Sequence, residues 1–196
     1  SISWVSSKEI DRLLFNAYFN HNETDGYRDE NEQQQNNFSS EFRNIGDQGD
    51  HFITFSYSEQ LMSTPSDRSQ SQLYSDRRGS DTPDDFINSE GTSIFYGTDY
   101  KINSYTKFIL NSSFRMKDSF SDLQSTSSPS YNETSLTNYQ FTPRMNRISN
   151  LFGKINDLTY GLDIQYADYK SYRKETELAI PLHVYDAWQA TQSAYF

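Results

Sequence analysis

Leu158-Thr159-Tyr160-Gly161-Leu162-Asp163-Ile164-Gln165-Tyr166 alternates, residue by residue, between a large apolar or aromatic side chain and a small or polar one. Successive side chains of an extended strand point to opposite faces. Leu158, Tyr160, Leu162, Ile164 and Tyr166 therefore share one face, and Thr159, Gly161, Asp163 and Gln165 the other. One face suits an apolar medium and the other suits water.

The pattern recurs along the chain. Leu13, Phe15, Ala17 and Phe19 form one apolar face, Ile53, Phe55 and Tyr57 another, and Ile94, Tyr96, Tyr100 and Ile102 a third. Phe108, Leu110, Phe114 and Met116 follow, then Tyr139, Phe141 and Met145, and less regularly Trp188, Ala190, Ala194 and Phe196. The opposite positions are expected to carry Asn16, Asn20, Asp99, Lys101, Lys107, Asn111, Arg115 and Arg147, which a dry core would not accept unpaired. The polar face must be hydrated.

Hydrophobic residues make up 34% of the chain, yet aromatic residues alone make up 16%, with 15 Tyr and 14 Phe. A soluble sandwich would place more Val, Ile and Leu on its paired inner faces. A transmembrane β-barrel concentrates its apolar side chains in one outward band with aromatic girdles and keeps a polar interior. A mean hydropathy of -0.88 is compatible with that arrangement. No run approaches the roughly 20 apolar residues of a spanning helix, so membrane residence would require strands that pair all their backbone groups. Cysteine is absent, which removes disulfides, thiolate metal sites and a cysteine nucleophile. The chain opens on Ser1-Ile2-Ser3-Trp4-Val5 without Met or a leader and reads as a piece of a longer precursor.

Connections alternate in length. Gly46-Asp47-Gln48-Gly49-Asp50, Asn103-Ser104 and the stretch from Phe152 to Asp157 read as short turns. His21 to Glu32, Leu61 to Gly91, Lys117 to Asn138 and Lys170 to Leu182 read as long polar loops. Short turns at one end and long loops at the other is the pattern of outer-membrane barrels. The reading is about eight antiparallel strands in an up-and-down meander. They run Asp11 to Asn20, Gln33 to Ile45, His51 to Gln60, Thr92 to Ile102, Tyr105 to Lys117, Asn138 to Ser149, Asp157 to Tyr169 and Val184 to Phe196. Ile2 to Val5 reads as the end of an earlier strand. Ser63 to Ser71 and Ser119 to Ser130 read as loop material.

Several stretches resemble a known family. Ala17-Tyr18-Phe19, Asp25-Gly26-Tyr27-Arg28-Asp29, Asp76 to Phe86, Leu158 to Asp163 with Ala167-Asp168-Tyr169, and Pro181 to Asp186 leading into Gln189 to Tyr195 look, in that order, like the middle of a TonB-dependent outer-membrane receptor barrel. The resemblance implies a barrel of about 22 strands, plugged by a globular domain, that imports a scarce nutrient chelate with energy from the TonB complex. A ferric siderophore is the first candidate, with haem and cobalamin as others. Residues 1–196 would then form a single partial domain, all-β, an open curved segment of a transmembrane β-barrel. The plug and the remaining strands would lie elsewhere, and the protein would reside in the bacterial outer membrane. Its partners would be outer-membrane lipid, the nutrient chelate and, through the plug, the TonB complex. Phe196 is read as a mid-barrel position rather than the terminal aromatic of a finished barrel.

Catalytic signals are sparse. His21, His51 and His183 have no metal-ligand spacing, and no Gly-flanked serine forms a nucleophile elbow. Neither an enzyme nor a cofactor or metal is expected. His51 reads as a solvated turn residue. The net charge of -10 argues against a nucleic-acid partner. Asp81-Thr82-Pro83-Asp84-Asp85 lacks the ligand order of a calcium loop and reads as a solvated acidic segment. The candidates for ligand contact are loop and rim residues: Tyr27, Arg28, Arg77, Arg78, His183 and Tyr185. Their arginines are suited either to local pairing or to an anionic chelate. Two other readings stay open. One is a complete small outer-membrane barrel or porin-like channel, and the other a soluble carbohydrate-binding β-sandwich.

Overall fold

The computed structural model describes residues 1–65, 67–82, 84–124 and 129–196. Nine strands form one antiparallel sheet. They are β1 (Ile2–Ile10), β2 (Leu13–Thr24), β3 (Gln33–Gly46), β4 (Gly49–Ser63), β5 (Phe86–Asn103), β6 (Thr106–Leu123), β7 (Ser130–Leu151), β8 (Lys154–Lys174) and β9 (His183–Tyr195). Each strand pairs with its sequence neighbours, in the order β1 to β9. β1 pairs with β2 alone and β9 with β8 alone, so the sheet is open at both edges.

The turns explain the register. Two-residue connections, Asp11-Arg12, Asp47-Gln48, Ser104-Tyr105 and Phe152-Gly153, join β1–β2, β3–β4, β5–β6 and β7–β8. At the last, Phe152 (φ 54) and Gly153 (φ 76) both adopt positive φ, as a primed hairpin turn requires. Gly49 has φ 156 and lies so close to the neighbouring strand β5 that a Cβ there would meet the Asp99 carbonyl oxygen at 1.8 Å. The other strand ends, Thr24 and Gln33, Ser63 and Phe86, Leu123 and Ser130, and Lys174 and His183, lie at the opposite end and are separated by more residues in sequence. The expected division of turns and loops between the two ends is present.

Residues directly opposite in the ladder share a face, so the register assigns every side chain. One row runs Ser6–Ala17–Ser40–Phe55–Ile94–Phe114–Tyr139–Tyr166–Ala190 across all nine strands. Along it Phe114 and Tyr139 rings sit 5.1 Å apart, and Tyr139 and Tyr166 6.3 Å. Cross-strand aromatic pairs of this kind stabilise a sheet face. This face is otherwise bare. Leu162, Ile164, Phe141, Ile53 and Phe55 are all exposed, and Ala17 and Tyr131 are the only buried apolar residues among those described. The sheet has no core of its own, since among the described residues no element packs on either face.

Several expectations change in detail. The sheet has nine strands rather than about eight, because Ile2 to Val5 belongs to a full strand, β1, that pairs along β2, and Asp11 lies in the turn between them at φ 51. Strands reach well into the segments read as loops. Ser119 to Leu123 and Ser130 are strand, and Gln70–Ser75 is a short helix, α1. Polar strands without an apolar face give no alternation to read, which is why their extensions escaped notice; Ser66, Pro83 and 125–128 lie outside the described residues. Arg147 lies opposite Thr106 and Leu158 and so shares the face of Met145, not the polar face. His51 is a strand residue whose Nδ1 lies 2.8 Å from the Thr98 hydroxyl and 3.3 Å from that of Tyr96. The polar face also carries rings. Phe52 and Phe95 stack there at 5.6 Å.

Candidate functional site

The long β4–β5 connection is organised by a cation that sequence reading did not single out. The Arg68 side chain is only 8% exposed, with Nη2 3.8 Å from Asp76 and Nη1 3.7 Å from Asp81. Asp76 Oδ1 accepts the backbone N–H of both Arg78 and Gly79 at 3.1 Å, while Asp81 also accepts from the Gln72 amide at 2.7 Å. Ser69 caps α1 in a reciprocal box with Gln72, satisfying backbone donors that so short a helix leaves open. Buried Asp85 accepts the Gln124 N–H through Oδ1. The acidic segment is thus committed to holding loops together, and among the described residues no group of three metal-ligating side chains assembles.

This loop folds against the β2–β3 connection. The Asp29 N–H donates to the Arg78 carbonyl at 2.7 Å, and Arg28 Nη2 donates to the Gly79 carbonyl at 3.1 Å. Between them Tyr27, Arg28, Gln70, Leu73, Tyr74 and Arg77 line an open pocket of about 490 Å³. Three of the six sequence candidates, Tyr27, Arg28 and Arg77, therefore converge. Arg78 turns to Asp29 at 3.8 Å, an exposed pair of little energetic weight. His183 and Tyr185 are not part of the cluster. They lie on β9 at the sheet edge, with Tyr185 meeting Tyr169 edge-on at 5.8 Å between ring centroids. Two aromatic rings and two guanidinium groups in one pocket can stack on a flat ligand and bind carboxylate or other oxyanion groups. Gln70, Leu73 and Tyr74 were missed because α1 has no periodic apolar face to announce it.

A second concavity lies on the polar face. Tyr18, Asn37, Ser39, Ser56, Ser58, Gly91, Ser93, Arg115 and Lys117 line a groove of about 430 Å³. Arg115 stands opposite Ser93, and Lys117 opposite Gly91. Charges are segregated around it. Toward the long loops from the row Tyr18–Ser39–Ser56–Ser93–Arg115–Asn138–Ala167–Gln189, the strand positions of this face hold Arg115, Lys117, Arg173 and His183 but no Asp or Glu. The carboxylates at the same level, Glu59, Glu90, Asp118, Glu133, Asp168 and Asp186 among them, stand on the other face. Toward the short turns the polar-face charges mix, as in Arg43 with Glu41 and Lys107 with Asp99.

The fold is that of a segment of a TonB-dependent receptor barrel. Two solved structures of such receptors superpose on nearly the whole chain. The ferric citrate transporter FecA, in its unliganded form, matches with a TM-score of 0.68 at 12% identity, over 97% of this chain and 30% of FecA. FpvA of P. aeruginosa, solved with heterologous pyoverdines and iron, matches with a TM-score of 0.75 at 7% identity, over 99% of this chain and 32% of FpvA. The chain thus spans about a third of the length of either. No family profile and no curated protein sequence matches.

Proposed function

We propose that these residues form nine consecutive strands of an outer-membrane receptor barrel that imports a scarce nutrient chelate. In this reading the apolar face lies in lipid, the polar face lines the lumen, and the long loops face the exterior. The plug and the strands that close the barrel lie outside residues 1–196. The observation that carries the reading is the bare aromatic and aliphatic face of an open sheet, whose edge strands would leave N–H and C=O groups unpaired in lipid without further strands. An iron chelate is the first choice of cargo. The matched structures are of a ferric citrate transporter and of a receptor bound to pyoverdine and iron, and the pocket of Tyr27, Arg28 and Arg77 offers guanidinium groups to the oxyanions, and rings to any flat group, of such a chelate. The chain acts by binding and passage rather than by bond-making chemistry, and the TonB complex is its energy source.

The test is uptake by the full-length protein in a bacterium stripped of its own iron receptors, using radiolabelled ferric siderophores. Uptake of at least one, abolished when the inner-membrane proton gradient is collapsed, supports the reading. Flux of small solutes that survives collapse of the gradient contradicts it and selects the porin-like channel.

A further inference from the structure

We infer that the groove at Arg115 and Lys117 is an anion-binding station on the polar face, separate from the loop pocket, suited to a small molecule carrying two or more carboxylates. The inference rests on the receptor reading, which turns this face to the lumen. Arg115 and Lys117 are two residues apart on β6 and point to the same side. Both are exposed and neither has an ion-pair partner among the described residues. Like charges so placed repel, and among the described residues no carboxylate pairs with either to offset them. Across the long-loop half of this face the acids that would neutralise such cations are displaced to the opposite side of the sheet.

The floor beneath them is made of small donors. Ser58 lies opposite Gly91, Gly91 opposite Lys117, and Ser56 opposite Ser93. A Cβ on Gly91 would come within 3.0 Å of the Ser58 hydroxyl, so glycine leaves that hydroxyl uncovered at the ladder position opposite Lys117. A guanidinium fork, a mobile ammonium and serine hydroxyls together supply directed donors with no competing acceptor charge, the chemistry that recognises carboxylates. A groove of about 430 Å³ accommodates a ligand of citrate size. Its sign also separates it from the chain as a whole, whose net charge is -10. An anion repelled by the outer acidic surface meets a field of the opposite sign here.

The chain has no cysteine, so one introduced thiol reports the groove once any cysteines elsewhere in the full-length protein are replaced. In that protein, reconstituted in liposomes, Ser58→Cys is reacted with an anionic and a cationic methanethiosulfonate of similar size. The anionic reagent should react about tenfold faster, and the preference should vanish in Arg115→Gln/Lys117→Gln. Sodium citrate should slow the anionic reagent several-fold more than sodium chloride at equal ionic strength, and only while both cations are present. Equal rates for the two reagents, citrate protection that persists in the double variant, or no protection at all would overturn the inference. A thiol closed to both reagents would overturn it too, by placing another part of the protein in the groove. Ser40→Cys, on the apolar face beside Phe55, separates this from failure of the receptor reading. It should stay unreactive to both reagents in lipid, and its free reaction would sink the membrane assignment itself.

Discussion

The guanidinium of Arg43 lies over the ring of Phe52, 4.5 Å from its centroid, and the same ring covers the bare backbone of Gly97 directly opposite. A Cβ built on Gly97 would sit 2.4 Å from two carbons of that ring. Gly97 is thus the space that lets Phe52 lie flat between Arg43 and Phe95. Gly97→Val should destabilise the full-length barrel by about 1 to 3 kcal/mol through overpacking, as read from urea unfolding in liposomes. An unchanged midpoint would show the ring to be free to move aside.

Facial assignment gives a second expectation. Leu110→Arg or Leu162→Arg places a cation on the apolar face and should cost about 2 to 4 kcal/mol near the bilayer midplane. Asn111→Arg, on the polar face beside Arg144, should cost far less. Gly161 is a poor contrast position despite lying on the polar face, because a Cβ there would meet the Pro143 carbonyl oxygen at 2.6 Å and Arg144 Cβ at 2.8 Å. Equal losses at positions 110 and 111, by the same folding measurement, would contradict the assignment.

Glu59, Glu90 and Asp118 stand opposite one another in consecutive ladder positions on one face. Like charges across a ladder destabilise it by a few tenths of a kcal/mol to about 1 kcal/mol. Glu90→Gln should therefore raise stability in low salt, and the gain should fade in molar salt as the charges are screened. A gain that is independent of salt would point to some cause other than repulsion.

Arg68 is the expected anchor of the β4–β5 loop. Its removal in Arg68→Ala leaves Asp76 and Asp81 without their shared cation, so hydrogen exchange at Gln70–Ser75 should rise markedly while the ladder amides of β4 and β5 keep their protection. Unchanged exchange over α1 would show the capping box and the backbone bonds to Asp76 to be sufficient.

Much of the sheet could be read from residues such as Tyr160, Leu162 and Ile164, because period-2 alternation between two media leaves a direct mark on sequence. The same rule fails where both faces are wet. Glu133 to Asn138 and Ser119 to Leu123 are strand, yet they show no contrast to betray it. Within the pocket, Tyr27, Arg28 and Arg77 were visible as charged and aromatic loop residues. Arg68 was not, because its role depends on burial between two acids eight and thirteen residues away, a contact that only the folded loop creates. The groove at Arg115 was invisible for a related reason. Its sign depends on which acids the register sends to the other face.

The most direct test of the account is a nitroxide scan of the nine consecutive positions from Leu158 to Tyr166 in the full-length protein in liposomes, each label on a single introduced cysteine. Collision with oxygen, which partitions into lipid, should peak at 158, 160, 162, 164 and 166, and collision with a water-soluble nickel chelate at 159, 161, 163 and 165. Oxygen accessibility without a period of two, or with its maxima at the odd positions, would contradict the claim that this sheet separates lipid from a hydrated lumen.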